Sequence, residues 1–285
     1  MGNFYDSIPE FLMAWIAEQH CFWVATAPLS ADGHVNVSPK GLAGTFKLLG
    51  PNACFYQDLS GSGVETISHL RENGRITIMF SAFQGSPRIV RLFGKGTVHE
   101  IDTPRYAELI PPSERLAGSR AVIEVEIHKV GSSCGFSVPY YTWTGDRTLL
   151  VERMATREER DLQVCDEQVK NDEDPISHLK ISAQNPLSAS EAPEKSLRKY
   201  WAVKNVRSVD GIPGLEIGRR LAGLPPHERD AEKDNMRFHQ PAGPKVETVG
   251  MQSQEWGPGW IVGAFVLGMC VTQLAGFVRH ASRGV

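Results

Sequence analysis

The sequence predicts a mainly β protein: a small closed barrel of about six strands with peripheral helices, then a charged tether and one C-terminal transmembrane helix. Three observations predict it. Short β-branched and aromatic runs, broken by turn residues roughly every 8 to 12 positions, recur from 21 to 130. Residues 216–257 are rich in charge and proline and lack apolar periodicity. The 19 residues that begin at Trp260 and end at Val278 carry no charge, and a helix needs about 20 apolar residues to cross a membrane.

The chain opens on an amphipathic helix expected over 7–19, where Ile8, Phe11, Leu12, Trp15 and Ile16 recur at helical spacing and Ser7 with Glu10 forms a capping box. The first barrel strand is 21–27 (CFWVATA). Asp32-Gly33 marks a hairpin turn, and 35–38 (VNVS) alternates beyond it. Strands at 46–49 and 54–56 flank Gly50-Pro51-Asn52. A helix capped by Ser62 and Glu65 runs to the C-cap Asn73-Gly74. Strands 75–80 (RITIMF) and 88–100 (RIVRLFGKGTVHE) follow, the second with Gly94 and Gly96 marking a bulge or bend. After a short helix near 104–110, residues 121–130 (AVIEVEIHKV) alternate strictly. Past Tyr141 the pattern changes: 152–170 is charged and helical, 171–193 a polar loop, 194–205 a helix and 210–215 a turn. The domains expected are the barrel at 1–150, a helical extension at 151–215, the tether at 216–257 and the membrane helix at 258–278.

Charge and composition exclude several classes. The net charge of −3, from 30 basic and 33 acidic residues, argues against a surface tuned for nucleic acid. The cysteines Cys21, Cys54, Cys134, Cys165 and Cys270 are scattered without a C-x-x-C pair, and no H-x-x-x-H occurs, so neither a metal site nor a disulfide framework is indicated. The N-terminus lacks the basic and apolar regions of a secretory signal. Trp256 and Trp260 stand where an interfacial belt would place them, although a buried soluble helix is the competing reading of that stretch.

What chemistry the sequence offers is anion binding. Ser38-Pro39-Lys40-Gly41 ends a barrel strand; Pro39 stops the ladder and frees Lys40 to meet an anion. Leu59-Ser60-Gly61-Ser62-Gly63 leads into a helix, so small residues let backbone N–H groups approach a ligand at a helix N-terminus, with Thr66 on the first turn. Arg88 and Arg91 lie three apart on one strand and face opposite sides, so only one of them can serve a given pocket. Each of these residues also has an ordinary reading, as a solvated charge or a helix cap.

A resemblance extends this reading. FWVATA (22–27) followed by SPKG (38–41) resembles the opening of the pyridoxamine 5′-phosphate oxidase-like family of FMN-binding split barrels. The block 61–100 (GSGVETISHLRENGRITIMFSAFQGSPRIVRLFGKGTVHE) resembles a fungal branch of that family, as do GFSVPY (135–140) and YWAVKNVRSVDGIPGL (200–215). The resemblance implies a six-stranded antiparallel split β-barrel that forms a homodimer and holds FMN in a groove between subunits. On matching positions it implies that Lys40, Thr66, His69, Arg88 and Arg91 lie beside the cofactor, with Arg75 opening a neighbouring strand; Ser38 and Ser62 complete the expected site. The Trp-, Arg- and His-rich substrate segment that ends true pyridoxamine phosphate oxidases is not found, so vitamin B6 oxidation is not implied.

The function expected is therefore an FMN-dependent oxidoreductase acting on an unidentified small organic substrate, in fungal specialised metabolism. Catalytic residues are not assigned; Tyr140, Tyr141 and His69 are the candidates. The alternatives are a non-catalytic binder of flavin, deazaflavin or heme tethered to a membrane, and a purely structural adaptor. The expected location is a membrane, spanned once by the C-terminal helix, with the barrel facing the cytosol.

Overall fold

Among the described residues, eight strands, all paired antiparallel, build one sheet: β1 (Asn3–Tyr5), β2 (Cys21–Thr26), β3 (Asn36–Gly41), β4 (Phe46–Gly50), β5 (Ala53–Leu59), β6 (Arg75–Ser81), β7 (Ile89–Glu100) and β8 (Ser119–Ser133). Among the described residues, seven α-helices surround it: α1 (Glu10–Ala17), α2 (Glu65–Asn73), α3 (Pro104–Leu109), α4 (Leu149–Gln163), α5 (Glu167–Lys170), α6 (Leu197–Lys204) and α7 (Glu216–Leu221). The computed structural model describes residues 2–180, 185 and 188–225, all within one unit, Met1–Glu228.

The strand order is β3-β2-β6-β7-β8-β5-β4, with β1 added on β8. The end strands β3 and β4 are consecutive in sequence and joined by residues 42–45, yet no ladder pairs them among the described residues. The Thr45 hydroxyl holds this link by donating to the carbonyls of Gly41 and Leu42 (2.9 and 2.8 Å). Leu42 adopts a φ of 74°, which is uncommon outside glycine. Closure of the half-barrel comes from aromatic packing instead. Phe22 of β2 lies 5.2 Å from Phe46 of β4, 5.5 Å from Tyr56 of β5 and 5.8 Å from Phe80 of β6, ring centre to ring centre.

Local chemistry sets the elements. On β8, Ile123, Val125 and Ile127 are buried while Glu126 and His128 face solvent, the period-two pattern of a strand with one apolar face. Gly74 ends α2 in the left-handed conformation (φ 69°). Helix starts differ from expectation: α1 is preceded by Pro9 and α2 by Val64, neither with a side-chain cap, so the Ser7–Glu10 and Ser62–Glu65 boxes do not form. The sheet has two strands more than the six expected, partly because β1 is three residues long and too short to show alternation.

The membrane helix is the larger correction. Among the described residues no helix is long and apolar enough to cross a membrane. The longest, α4, has 15 residues and includes Glu152, Arg153, Arg157, Glu158, Glu159, Arg160 and Asp161, whose charges bar it from hydrocarbon. The expected span 258–278 lies outside the described residues. The fold is thus a mainly β half-barrel with helices, and a membrane location with a cytosolic barrel loses its structural basis. The tether, too, does not begin at 216. Ile217 and Leu221 of α7 are buried, and the buried Glu100 accepts the helix's first N–H groups, from Glu216 (2.6 Å) and Ile217 (2.8 Å).

The pairing of β7 with β8 shifts register between Phe93 and Gly94, as the glycine in that strand foreshadows. A Cβ at Gly94 would sit 2.4 Å from the backbone oxygen of Glu126, whereas at Gly96 it would meet the mobile methyl ends of Leu70 at 3.0 Å. Gly94→Ala is expected to cost about 1–3 kcal/mol through overpacking against backbone, and Gly96→Ala less. Urea unfolding checks this: the Gly94→Ala midpoint should fall with unchanged slope, and a wild-type midpoint would contradict the bulge geometry.

Candidate functional site

Alternation along β3 puts Asn36, Ser38 and Lys40 on one face, each two residues from the next. Opposite that face, β5 ends and the chain turns through Leu59, Gly61, Ser62 and Gly63 into α2, whose first turn carries Glu65 and Thr66. These residues, with Arg120 near the start of β8, line a half-open cavity of about 210 Å³.

The floor is a buried ion triad. Asp58 has no exposed side chain; it accepts from Lys40 Nζ (2.9 Å) at one oxygen and from Arg120 Nε (2.8 Å) at the other. Burial pushes the Asp58 carboxyl up, but Arg120 and Lys40 outweigh it and hold the group down at about 2. Arg120 Nη2 donates to the carbonyl of Gly63 (3.0 Å), and its Nη1 is buried with no partner among the described residues. The wall is a polar relay: Ser38 donates to Asn36 Oδ1 (3.0 Å), and Asn36 Nδ2 donates to Thr66 Oγ1 (3.1 Å).

Of the residues singled out from sequence, Ser38, Lys40, Ser62 and Thr66 line this one cavity. His69, Arg88 and Arg91 do not. The ring of His69 is buried, with Nδ1 3.0 Å from Thr26 Oγ1, and burial lowers its pKa despite the pull of Asp210. Arg88 lies over the rings of Phe11 and Trp15 on α1 at 5.7 and 5.5 Å. Arg91 donates weakly to Ser133 Oγ (3.4 Å), and Arg75 donates to Asn73 Oδ1 and to the carbonyl of Pro28. Tyr140 and Tyr141 are exposed, the latter packed edge-on against Phe83.

Sequence reasoning missed Asp58 and Arg120. Each sits at a strand end, where a charged residue reads as solvated, and they are 62 positions apart. Only the β5–β8 pairing, which sets Asp58 opposite Ala121 and Leu59 opposite Ser119, joins them.

The pyridoxamine 5′-phosphate oxidase family model matches residues 8–134. The pyridoxamine 5′-phosphate oxidase family protein ustO of Aspergillus flavus is 40% identical over 227 residues, which span 78% of this chain and 82% of that protein. The chain belongs to the pyridoxamine 5′-phosphate oxidase family. Its sheet also resembles those of HupZ from Group A Streptococcus, with 21% identity, a TM-score of 0.36 and coverage of 43% of this chain and 91% of that one. An FMN-binding protein of Syntrophomonas wolfei is similar at 11% identity and a TM-score of 0.30, over 41% of this chain and 79% of that one. The residues from β3, the glycine loop, α2 and β8 that build the cavity all lie inside the span matched by the family model; α4 to α7 lie beyond it.

The site residues fit a phosphate-bearing ligand. Two cations, hydroxyls and a glycine loop converge, and an unsatisfied guanidinium nitrogen remains on Arg120. Glu65 is the opposing feature: a Cβ at Gly63 would stand 2.2 Å from its Oε2, so this carboxylate folds over the loop and must turn outward to admit an anion.

The ion triad has a pH signature. Because the folded-state pKa of Asp58 lies below the ordinary value of about 3.9, its pairing contributes fully above that pH and is lost as pH falls toward about 2. The urea midpoint should drop over that window, and Asp58→Asn, though less stable at neutral pH, should show a shallower drop. An equally steep drop in the variant would show that the triad is not the titrating group.

Proposed function

We propose that this chain binds FMN, with the phosphate in the cavity between β3 and the glycine loop, and works as an FMN-dependent oxidoreductase on a small organic molecule. The observation that carries the reading is the convergence of Lys40 and Arg120 on a glycine-lined cavity at the start of α2. Membership of the pyridoxamine 5′-phosphate oxidase family supports it. Lys40 Nζ keeps two hydrogens beyond the one given to Asp58, and Arg120 adds a positive charge in the cavity lining. Ser62 and Thr66 add hydroxyls, and the N-terminus of α2 favours negative charge. When bound, the flavin supplies hydride and electron transfer; the protein supplies orientation and electrostatics.

A cavity of 210 Å³ suits the phosphorylated end of such a ligand and not all of it. A second copy of the chain is the occupant we assign to an exposed aromatic surface that follows β8. Beyond β8, Phe136, Tyr140, Tyr141 and Trp143 are 82, 80, 61 and 51% exposed, an apolar density unusual for a monomer.

A second reading, a flavin binder without turnover, is favoured by one observation. Among the described residues lining the cavity, Glu65 is the only carboxylate, His69 is turned to Thr26, and no tyrosine reaches in.

Purification separates these readings. The enzyme is expected to be yellow, bleached by NAD(P)H and recoloured by oxygen; a flavin that resists NAD(P)H under substrate screening favours the binder, and a colourless protein that takes up no FMN removes both. Lys40→Met should weaken FMN binding about tenfold or more, by loss of a charge-assisted contact. Sedimentation should show two chains per particle, and Tyr140→Asp should shift the particle toward one; a wild-type monomer that holds FMN tightly would remove the dimer from the proposal.

A further inference from the structure

The glycine loop that lines the cavity is held from behind by residues far along the chain. Trp201 of α6 is fully buried, and its indole Nε1 donates to Ser60 Oγ at 2.7 Å. Ser60 in turn donates to the carbonyl of Gly118, from both its hydroxyl and its backbone N–H, at 2.7 Å each. Asn205, which ends α6 and is also fully buried, donates from Nδ2 to the carbonyl of Gly61 at 3.0 Å. Packing leaves no slack: a Cβ at Gly214 would stand 2.5 Å from the Asn205 carbonyl oxygen and 2.7 Å from Val64, the residue that precedes α2.

These bonds set which way the loop's peptides face. The described peptide bonds are all trans, and in a trans peptide the C=O and the following N–H point in opposite directions. With the Gly61 carbonyl committed to Asn205 behind the loop, the N–H of Ser62, which lines the cavity, is turned away from α6. Asn205 itself is not a comfortable core residue. Its Oδ1 is buried without a partner among the described residues, a desolvation cost that leucine of similar size would not carry. The bond it donates to the loop is the physical reason for an amide there.

We infer that Trp201 and Asn205 are positioning residues for phosphate recognition, so that α6, outside the span matched by the family model, is part of the cofactor site. Neither touches the cavity; they act through Ser60 and Gly61. The inference rests on the flavin-phosphate reading above, and the two fail differently.

Fluorescence titration of the full chain with FMN and with riboflavin, which lacks the phosphate, tests it. Asn205→Leu and Trp201→Phe are each expected to weaken FMN about tenfold while riboflavin affinity stays within about twofold. Equal weakening of both ligands assigns the two residues a general structural role and overturns the inference, as does unchanged FMN affinity. A wild-type chain that binds neither ligand overturns the proposed function instead. Should both variants lose their native circular dichroism, hydrogen exchange of the wild-type chain decides: FMN should slow exchange in 197–207 as well as in 59–66, since coupling is reciprocal. Protection confined to 59–66 overturns the inference.

Discussion

Asp58 is wholly buried, and its carboxylate is shared between Lys40 of β3 and Arg120 of β8. No backbone ladder crosses from β3 to β4, so the Lys40–Asp58 bond is one of the polar ties across the open seam of the half-barrel, beside the Phe22–Phe46–Tyr56 packing. A buried carboxylate without both cations would be severely destabilising, on the order of 3–5 kcal/mol for the loss of one partner. That constraint propagates. It fixes where Lys40 can reach, and it orients the Arg120 guanidinium so that Nη2 meets the Gly63 carbonyl while Nη1 stays buried. The same carboxylate that anchors the seam also offsets part of the positive charge offered to a ligand. An anion held there would therefore depend on directed hydrogen bonds more than on net charge.

Most strands were legible because period-two alternation and turn residues write them directly. The runs 75–80 and 121–130 are examples, matching β6 and lying within β8. Half of the cavity was legible for a similar reason. Lys40 near its strand end, and the small residues from 59 to 63, have local signatures, although Pro39 does not stop the ladder, since Pro39 pairs with Trp23 and Lys40 with Phe22. The other half was not. Asp58 and Arg120 acquire meaning only from the register of β5 on β8, which no short window carries. Arg88 and Arg91 lie outside this cavity, since three-residue spacing says that two side chains diverge but not what either meets; Arg88, just before β7, meets the aromatic rings of α1.

The C-terminal half shows how composition misleads in the other direction. Charged sequence after 150 reads as solvated helix and loop, yet Asp161, Arg198 and Arg219 are buried there, and carboxylates bond the helices to the half-barrel. Glu158 of α4 grips Arg115 through both oxygens (2.5 and 3.0 Å) and accepts the Gly118 N–H at 2.6 Å. Glu100 does the same for α7 while pairing with Arg71 of α2. Hydropathy has no means of separating such carboxylates from exposed ones, because pairing in three dimensions, and not residue type, decides whether the charge can be buried.

Gly118 links these two halves. Its carbonyl receives both donors of Ser60, its N–H is held by Glu158, and its φ of 82° with Met154 packed against it leaves no room for a side chain. The glycine loop, the start of β8 and helix α4 therefore meet at one residue, while α6 grips the same loop one peptide further on. A strand-end loop in a split barrel would ordinarily be the least ordered part of the sheet. Here it is bonded on the side away from the cavity by elements that come late in the chain, so its order depends on their docking. The helical segment thus backs the glycine loop without lining the cavity, and the loop's conformation is tied to how that segment docks.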